Sequence, residues 1–176
     1  IPGYCLAVAT EVIQMSDVII ASENAVFGEP EIRHHSGPAV FTTPWIIGIH
    51  KAKELLLTGD SVRAEEALAL GMVNHVVPGD VLQDEAQRIA ERLALVPPLA
   101  QRLNKIAINQ IWEQRGLRHS LESAADIVAM IHGTATDQPE FHYLRKRQQE
   151  EGFGGFLDGR DGPFKENAAR AYQGED

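Results

Sequence analysis

The chain opens on short apolar runs separated by turn residues. Ile1 to Leu6 and Val18 to Ala21 predict buried strands, the second rich in β-branched residues and closed by Ser22, Glu23 and Asn24. Ala25 to Gly28 continues extended. Between the first two runs, Val12 and Ile13 stand three and four residues after Ala9, the spacing of one helical face, which predicts a short helix over Ala9 to Met15. Beyond a loop containing Pro30, Gly37 and Pro38, the pattern predicts helical segments over Ala39 to Ile46, crossed by Pro44, and over Lys51 to Leu57. Gly59-Asp60 marks a turn, Ala64 to Leu70 a helix stopped at Gly71, and Val73 to Val77 a strand ending at Pro78. Strands and helices alternate, so an α/β core is expected over residues 1 to 80.

From residue 81 the periodicity becomes helical throughout. Leu82, Ala86, Ile89, Ala90 and Leu93 follow i, i+4, i+7, i+8, i+11, an amphipathic helix broken at Pro97-Pro98. Leu99, Leu103, Ile106 and Ala107 repeat the pattern, as do Leu121, Ala124, Ala125, Val128, Ile131 and His132. A fourth helix is expected from Pro139 to Glu150, with proline in the first turn where its missing N–H costs nothing. The stretch after it is rich in glycine and holds Phe153, Phe156 and Phe164, a tail that needs a docking surface to be ordered. Two regions are therefore expected: 1–80, an α/β core, and 81–176, helical with a tail.

Composition narrows the function. The chain has 176 residues, enough to bury about 70% of the unfolded surface. Its 44% hydrophobic and 23% charged content excludes disordered and fibrous classes. A formal net charge of -9 argues against nucleic-acid binding. There is no apolar run of membrane-spanning length and no basic flank of a signal peptide at the start, so a location in the cytoplasm, or the mitochondrial matrix of a eukaryote, is expected, with no membrane partner. The single Cys5 asks for no oxidising compartment. The chain begins at Ile1 inside a strand-like stretch, from which a longer, N-terminally incomplete protein is expected.

Two carboxylates stand out as candidate chemistry. Glu11 lies in the first short helix and Glu31, twenty positions on, in a Gly-Glu-Pro-Glu turn after the third extended run. Adjacent strands of one sheet would bring them to the same edge. A pair of that kind suits addition of water to a polarised double bond: one carboxylate takes a proton from water and the other acid delivers one to carbon. Two surface glutamates are the alternative.

The residues around them carry more. GYCLAVATEVIQMSDVIIASENAVFGEPEI and KAKELLLTGDSVRAEEALALGMVNHVVP, spanning residues 3 to 78, resemble the crotonase (enoyl-CoA hydratase/isomerase) superfamily. The resemblance implies a partial crotonase-like spiral of ββα units followed by a C-terminal helical oligomerisation region, assembled as trimers or hexamers. It implies an enoyl-CoA hydratase, a lyase acting reversibly on the 2,3 double bond of an acyl-CoA, with CoA as part of the substrate and no metal or other cofactor. Glu11 and Glu31 fall where that family's hydratases hold their acid/base pair, and the backbone N–H of Val8 falls where one of two oxyanion-hole donors stands, the other lying before Ile1. The chain departs from the family in having Ala7-Val8-Ala9 where hydratases have three glycines, and Arg33-His34-His35-Ser36-Gly37-Pro38 on a shorter path after Glu31, so a reshaped acyl pocket is expected.

Other residues keep two readings each. His34 and His35, with no Cys/His cluster at ligand spacing, are candidates for a base or a substrate contact rather than a metal site, against loop or core histidines. Asp17 reads as a turn acceptor. The run Arg145-Lys146-Arg147 is a solvated helix face or a phosphate contact, and Arg160 and Lys165 are further candidates for holding the CoA phosphates. An isomerase or C–C hydrolase using His34 or His35, and a non-catalytic assembly subunit motivated by Ala7-Val8-Ala9, stand as the competing functions.

Overall fold

The computed structural model describes residues 1–38 and 40–172. Its elements run β1 (Tyr4–Leu6), α1 (Val8–Gln14), β2 (Ile20–Ser22), β3 (Val26–Gly28), a 3-10 turn (Pro30–His34), α2 (Thr43–Ile47), α3 (Ile49–Thr58), β4 (Ser61–Arg63), α4 (Ala64–Ala69) and β5 (His75–Val77). Four longer helices follow, α5 (Leu82–Ala94), α6 (Pro98–Gln114), α7 (Leu117–Thr134) and α8 (Pro139–Tyr172), the last broken at Gly152. An α/β spiral with helices at its C-terminal end matches the expected class. Three differences are informative. The short strand β4 escapes the periodicity because only Val62 of its three residues is buried. The helix expected over Ala39 to Ile46 starts at Thr43, which makes Pro44 a first-turn residue instead of an interruption; Ala39 itself lies outside the described residues. The glycine-rich tail is helical on both sides of Gly152.

Two small sheets frame the core. β3 pairs parallel with β1, Cys5 beside Phe27 and Leu6 beside Gly28, and antiparallel with β4, Phe27 beside Val62. β2 pairs parallel with β5. Phe27, Val62, Ala21, Ala25, Ala64 and Ala67 are almost fully buried between them. Gly28 is needed at its position, since a Cβ there would stand 2.6 Å from the Ser61 Oγ and 3.1 Å from its Cα. Asn74 fastens the second sheet by accepting the Ile19 N–H at 2.7 Å.

At the β1–α1 turn Ala7 adopts φ 60°, ψ -138°, a conformation natural to glycine. Its N–H donates to the Gly28 carbonyl at 2.8 Å, which holds it there. Strain of about 1–3 kcal/mol at such a residue outweighs the ~0.4–1 kcal/mol that a more flexible unfolded chain costs. Ala7→Gly is therefore expected to stabilise the fold by about 1 kcal/mol, read as a higher urea midpoint at unchanged slope.

Arg33 fastens the tail. Its guanidinium donates to the Thr58 carbonyl at 2.8 Å, pairs with Asp60 at 2.6 Å and Asp161 at 3.3 Å, and lies 3.7 Å over the Phe164 ring. Arg33→Ala is expected to cost about 2 kcal/mol and to speed amide exchange across residues 156–165, measured by mass spectrometry.

The later helices leave much apolar surface open. α6 has no buried residue, and Leu99, Leu103, Ile106, Ile108 and Ile111 on it are exposed, as is Leu95 before it. The amphipathic pattern is present, but in this chain the face it defines is uncovered. Among the described residues no helix is long and apolar enough to cross a membrane.

Candidate active site

The β1–α1 turn sets the position of Glu11. Thr10 Oγ1 donates to the Cys5 carbonyl at 2.5 Å and accepts the Gly28 N–H at 3.4 Å, tying the first turn of α1 to the ends of β1 and β3. The next residue, Glu11, is consequently buried, 2% exposed, at the edge where β3 ends, and its Oε2 accepts the Val40 N–H at 2.7 Å. One turn further, Gln14 Oε1 accepts the Thr42 hydroxyl at 2.6 Å while its Nε2 donates to Thr43 Oγ1 at 3.2 Å. Thr43 in turn donates to Glu29 Oε1 at 2.9 Å. A buried polar network thus links α1, α2 and the segment leaving β3.

Three carboxyls meet around that segment. Glu29 is 4% exposed, and burial pushes its carboxyl up to about 8; the Thr43 hydrogen bond opposes this, and the charges of Glu11 and Glu31 add to it. Glu31 is half-buried, and burial raises its carboxyl above the usual range against the hydrogen bond from its own N–H and the charge of Arg160. Glu29 Oε2 and Glu31 Oε2 are both buried with no hydrogen-bond partner. Glu11 and Glu31, paired in the sequence reading, therefore lie within electrostatic reach of one shared neighbour. That neighbour is the residue sequence reasoning passed over. Its signal was a charged side chain continuing the buried run of β3 directly after Gly28.

Val8 occupies the first position of α1, where helix geometry gives a backbone N–H no intrahelical acceptor. The residue is 58% exposed and stands on the surface of this chain.

The two histidines part company. His34 closes the 3-10 turn, its ring edge-on to Phe156 at 5.6 Å, its Nδ1 buried with no hydrogen-bond partner. Burial lowers its pKa, the charges of Arg160, His132 and His35 lower it further, and Asp161 opposes them, so the site favours the neutral imidazole. His35 takes a left-handed conformation and lies 3.6 Å from Glu140. Arg160 makes two hydrogen bonds to Asp161, at 2.9 and 2.8 Å, beside the Phe156 ring. A cavity of about 400 Å³ is lined by His34, Phe141, Arg145, Phe153, Phe156 and Arg160 among others. It adjoins the carboxyls through His34, on the same turn as Glu31, and Arg160, whose charge reaches Glu31. His35 and the exposed Lys165 are not among its lining residues.

Two of the three residues of the basic run are compensated on their own helix, Lys146 by Glu150 at 3.9 Å and Arg147 by Glu151 at 2.5 Å, while Arg145 lines the cavity beside His34. Asp17 is exposed and pairs with Lys105 of α6. Two larger clefts, of about 600 Å³ beside Trp45 and His119 and about 670 Å³ between Val18 and α6, hold none of the three carboxyls.

Comparison with known proteins identifies the family. A model of the family described as "Enoyl-CoA hydratase/isomerase" matches residues 1–167. A protein described as a probable mitochondrial enoyl-CoA hydratase of Dictyostelium discoideum is 35% identical over 164 residues, covering 90% of this chain and 53% of the relative. The crotonyl-CoA hydratase of Syntrophomonas wolfei is 33% identical over 165 residues, 92% of this chain and 58% of the relative. The crystal structure of an enoyl-CoA hydratase/isomerase from Xanthobacter autotrophicus Py2 superposes with a TM-score of 0.86 at 38% identity, covering 92% of this chain and 60% of that one. The chain thus spans little more than half the length of the curated relatives it matches. With the family model matching nearly its whole length, the chain belongs to the enoyl-CoA hydratase/isomerase family.

Proposed function

We propose that the whole protein adds water reversibly across the 2,3 double bond of an acyl-CoA thioester. The observation that carries this reading is the gathering of Glu11 and Glu31 about a common buried neighbour in a chain of this family. Glu11, which accepts the Val40 N–H, takes the base's part: it removes a proton from water as the oxygen bonds to the β-carbon. The electron pair of the double bond moves to the thioester oxygen, giving an enolate held by the Val8 N–H and by a second main-chain donor that the resemblance places before Ile1. Glu31, raised above the ordinary carboxylate range, delivers its proton to the α-carbon, and the carbonyl re-forms. The sum is one water added, and the proton that Glu11 took passes through solvent to Glu31 before the next addition. CoA enters only as part of the substrate.

His34 and Arg160 border the acyl end of the site in this reading, and the aromatic lining of their cavity suits a carbon chain. Lys165, exposed on α8, and His35 are kept for contacts further along the CoA. The uncovered apolar face of α6 supports assembly into a trimer or hexamer, with 81–176 as the oligomerisation region and 1–80 as the catalytic core. The single buried Cys5 fits a reducing compartment, the cytoplasm or a mitochondrial matrix.

Incubating the whole protein with crotonyl-CoA tests the reaction: the 3-hydroxyacyl-CoA is expected as product. A shifted double bond, or cleavage of an oxo-acyl thioester that is lost with His34→Ala, would instead favour the isomerase or C–C hydrolase reading, which the half-buried His34 ring, its pKa lowered by burial, supports. CoA-thioester binding with no turnover would favour an assembly subunit.

A further inference from the structure

The basic run on α8 is uneven, and the sequence sets the unevenness. Carboxylates four positions on answer two of its members, Glu150 for Lys146 and Glu151 for Arg147, whereas the residues three and four places from Arg145 in either direction are Phe141, His142, Gln148 and Gln149. The fold does not make up the difference. Among the described residues Arg145 pairs with no carboxylate, and its side-chain hydrogen bond is a long one, 3.5 Å, to the neutral Gln148 Oε1. The Phe141 ring, one turn back, has its centre 5.7 Å from the guanidinium carbon, within cation–π range.

This guanidinium borders the cavity of about 400 Å³ beside His34. Phe141, Phe153 and Phe156 give it apolar walls, Phe153 stacked on Phe156 at 5.9 Å. The other cation there is already answered, since Arg160 donates to Asp161 from both Nε and Nη2. Arg145 is thus the lining cation whose charge no carboxylate of the described residues offsets. A carboxylate fits it best: the planar guanidinium presents two parallel N–H groups to the two oxygens of one such group. Aromatic walls would hold the carbons leading up to that group and keep water from one side of the pair, which strengthens it.

We propose that the substrate is a 2-enoyl-CoA whose acyl chain ends in a carboxylate, with Arg145 the specificity-determining residue that binds this end and the aromatic cavity holding the carbons before it. The inference rests on the hydration reading and names the substrate class of that same site. CoA also carries anionic groups, its phosphates, but these lie on the side of the thioester away from the acyl chain. The cavity adjoins the turn of Glu31, through His34 and through Arg160, whose charge reaches that carboxyl. What enters it in this reading is the part of the substrate beyond the reacting carbons.

Hex-2-enedioyl-CoA and hex-2-enoyl-CoA differ only in carrying a carboxylate or a methyl group at the far end, and kcat/KM of the whole protein for each tests the proposal. The dioyl thioester is expected to be preferred about tenfold or more, the usual strength of a hydrogen-bonded charge pair. In Arg145→Gln that ratio is expected to fall about tenfold, through the KM of the dioyl thioester, and in Arg145→Lys, which keeps the charge without the fork, to lie between. Arg145 is exposed, so both substitutions leave the core untouched. No preference in the unaltered protein, or a ratio that Arg145→Gln leaves where it was, overturns the proposal. An equal loss on both thioesters marks a contact to the CoA phosphates and overturns it as well. Calorimetric titration with adipyl-CoA and hexanoyl-CoA, which have no double bond to hydrate, reads the subsite without turnover. If neither enoyl thioester is hydrated the hydration reading falls, and the carboxylate subsite then stands only if adipyl-CoA binds the more tightly and Arg145→Gln abolishes the difference.

Discussion

Replacing Glu11 by Gln is expected to slow hydration of crotonyl-CoA by the whole protein roughly 10²- to 10⁴-fold, and Glu31→Gln by a similar factor, the range that positioned acids and bases contribute. The amide keeps the shape of each side chain and its place in the network, so Glu11→Gln still reaches the Val40 N–H through its carbonyl oxygen. What it loses is the ability to take or give a proton. The loss should fall on kcat with little change in KM, because neither carboxyl is asked to bind the ground-state thioester more tightly. The double variant should lose little more than either single one, since the base and the acid serve one addition. Steady-state kinetics on the three proteins, with circular dichroism to verify the fold, gives the answer. Undiminished turnover in either single variant removes that residue from the mechanism.

The second large effect is on stability. Burial pushes the Glu29 carboxyl up to about 8 in the fold, against 4.5 for an ordinary glutamate. Between those values the folded protein binds more protons than the unfolded one, so stability is full below pH 4.5 and falls as the pH rises through the window. A shift of this size corresponds to as much as roughly 5 kcal/mol lost on the way to pH 8. Glu29→Gln removes the titrating group and should flatten the curve, so that the variant is the more stable protein at pH 8 and gains least at pH 5. Denaturant midpoints of both proteins at pH 5, 6, 7 and 8 measure it; parallel curves would mean that the carboxyl titrates near its ordinary value.

Much of the fold was legible because its signals are local. The apolar runs at Ile1 to Leu6, Val18 to Ala21 and Val73 to Val77 each overlap a strand, and the i, i+4, i+7 pattern from Leu82 marks α5. Hidden were features that depend on distant partners. β4, just after the Gly59-Asp60 turn, is left unassigned by the pattern because one buried Val62 sets no period; it becomes a strand by pairing with β3. The tail beyond Gly152 has too many glycines for local helix propensity, and Arg33 and His34, more than a hundred residues earlier, hold it through Asp161, Phe164 and Phe156. Of the site, Glu11 and Glu31 were visible by spacing and resemblance, whereas Glu29 was not. Its character comes from Thr43, fourteen positions away, and from burial beneath α1 and α2 that no window of sequence contains. The strain at Ala7 was foreshadowed by the missing glycines, and the structure adds that the turn forms nonetheless.

The most direct test is a crystal structure of the whole protein with acetoacetyl-CoA bound in place of the enoyl thioester. The expected result is a thioester oxygen about 3 Å from the Val8 nitrogen, with the Glu11 and Glu31 carboxyls on either side of the α- and β-carbons and within hydrogen-bond reach of them or of one water. A thioester seated in the cleft beside Trp45 and His119, with the carboxyls away from its carbons, would contradict it.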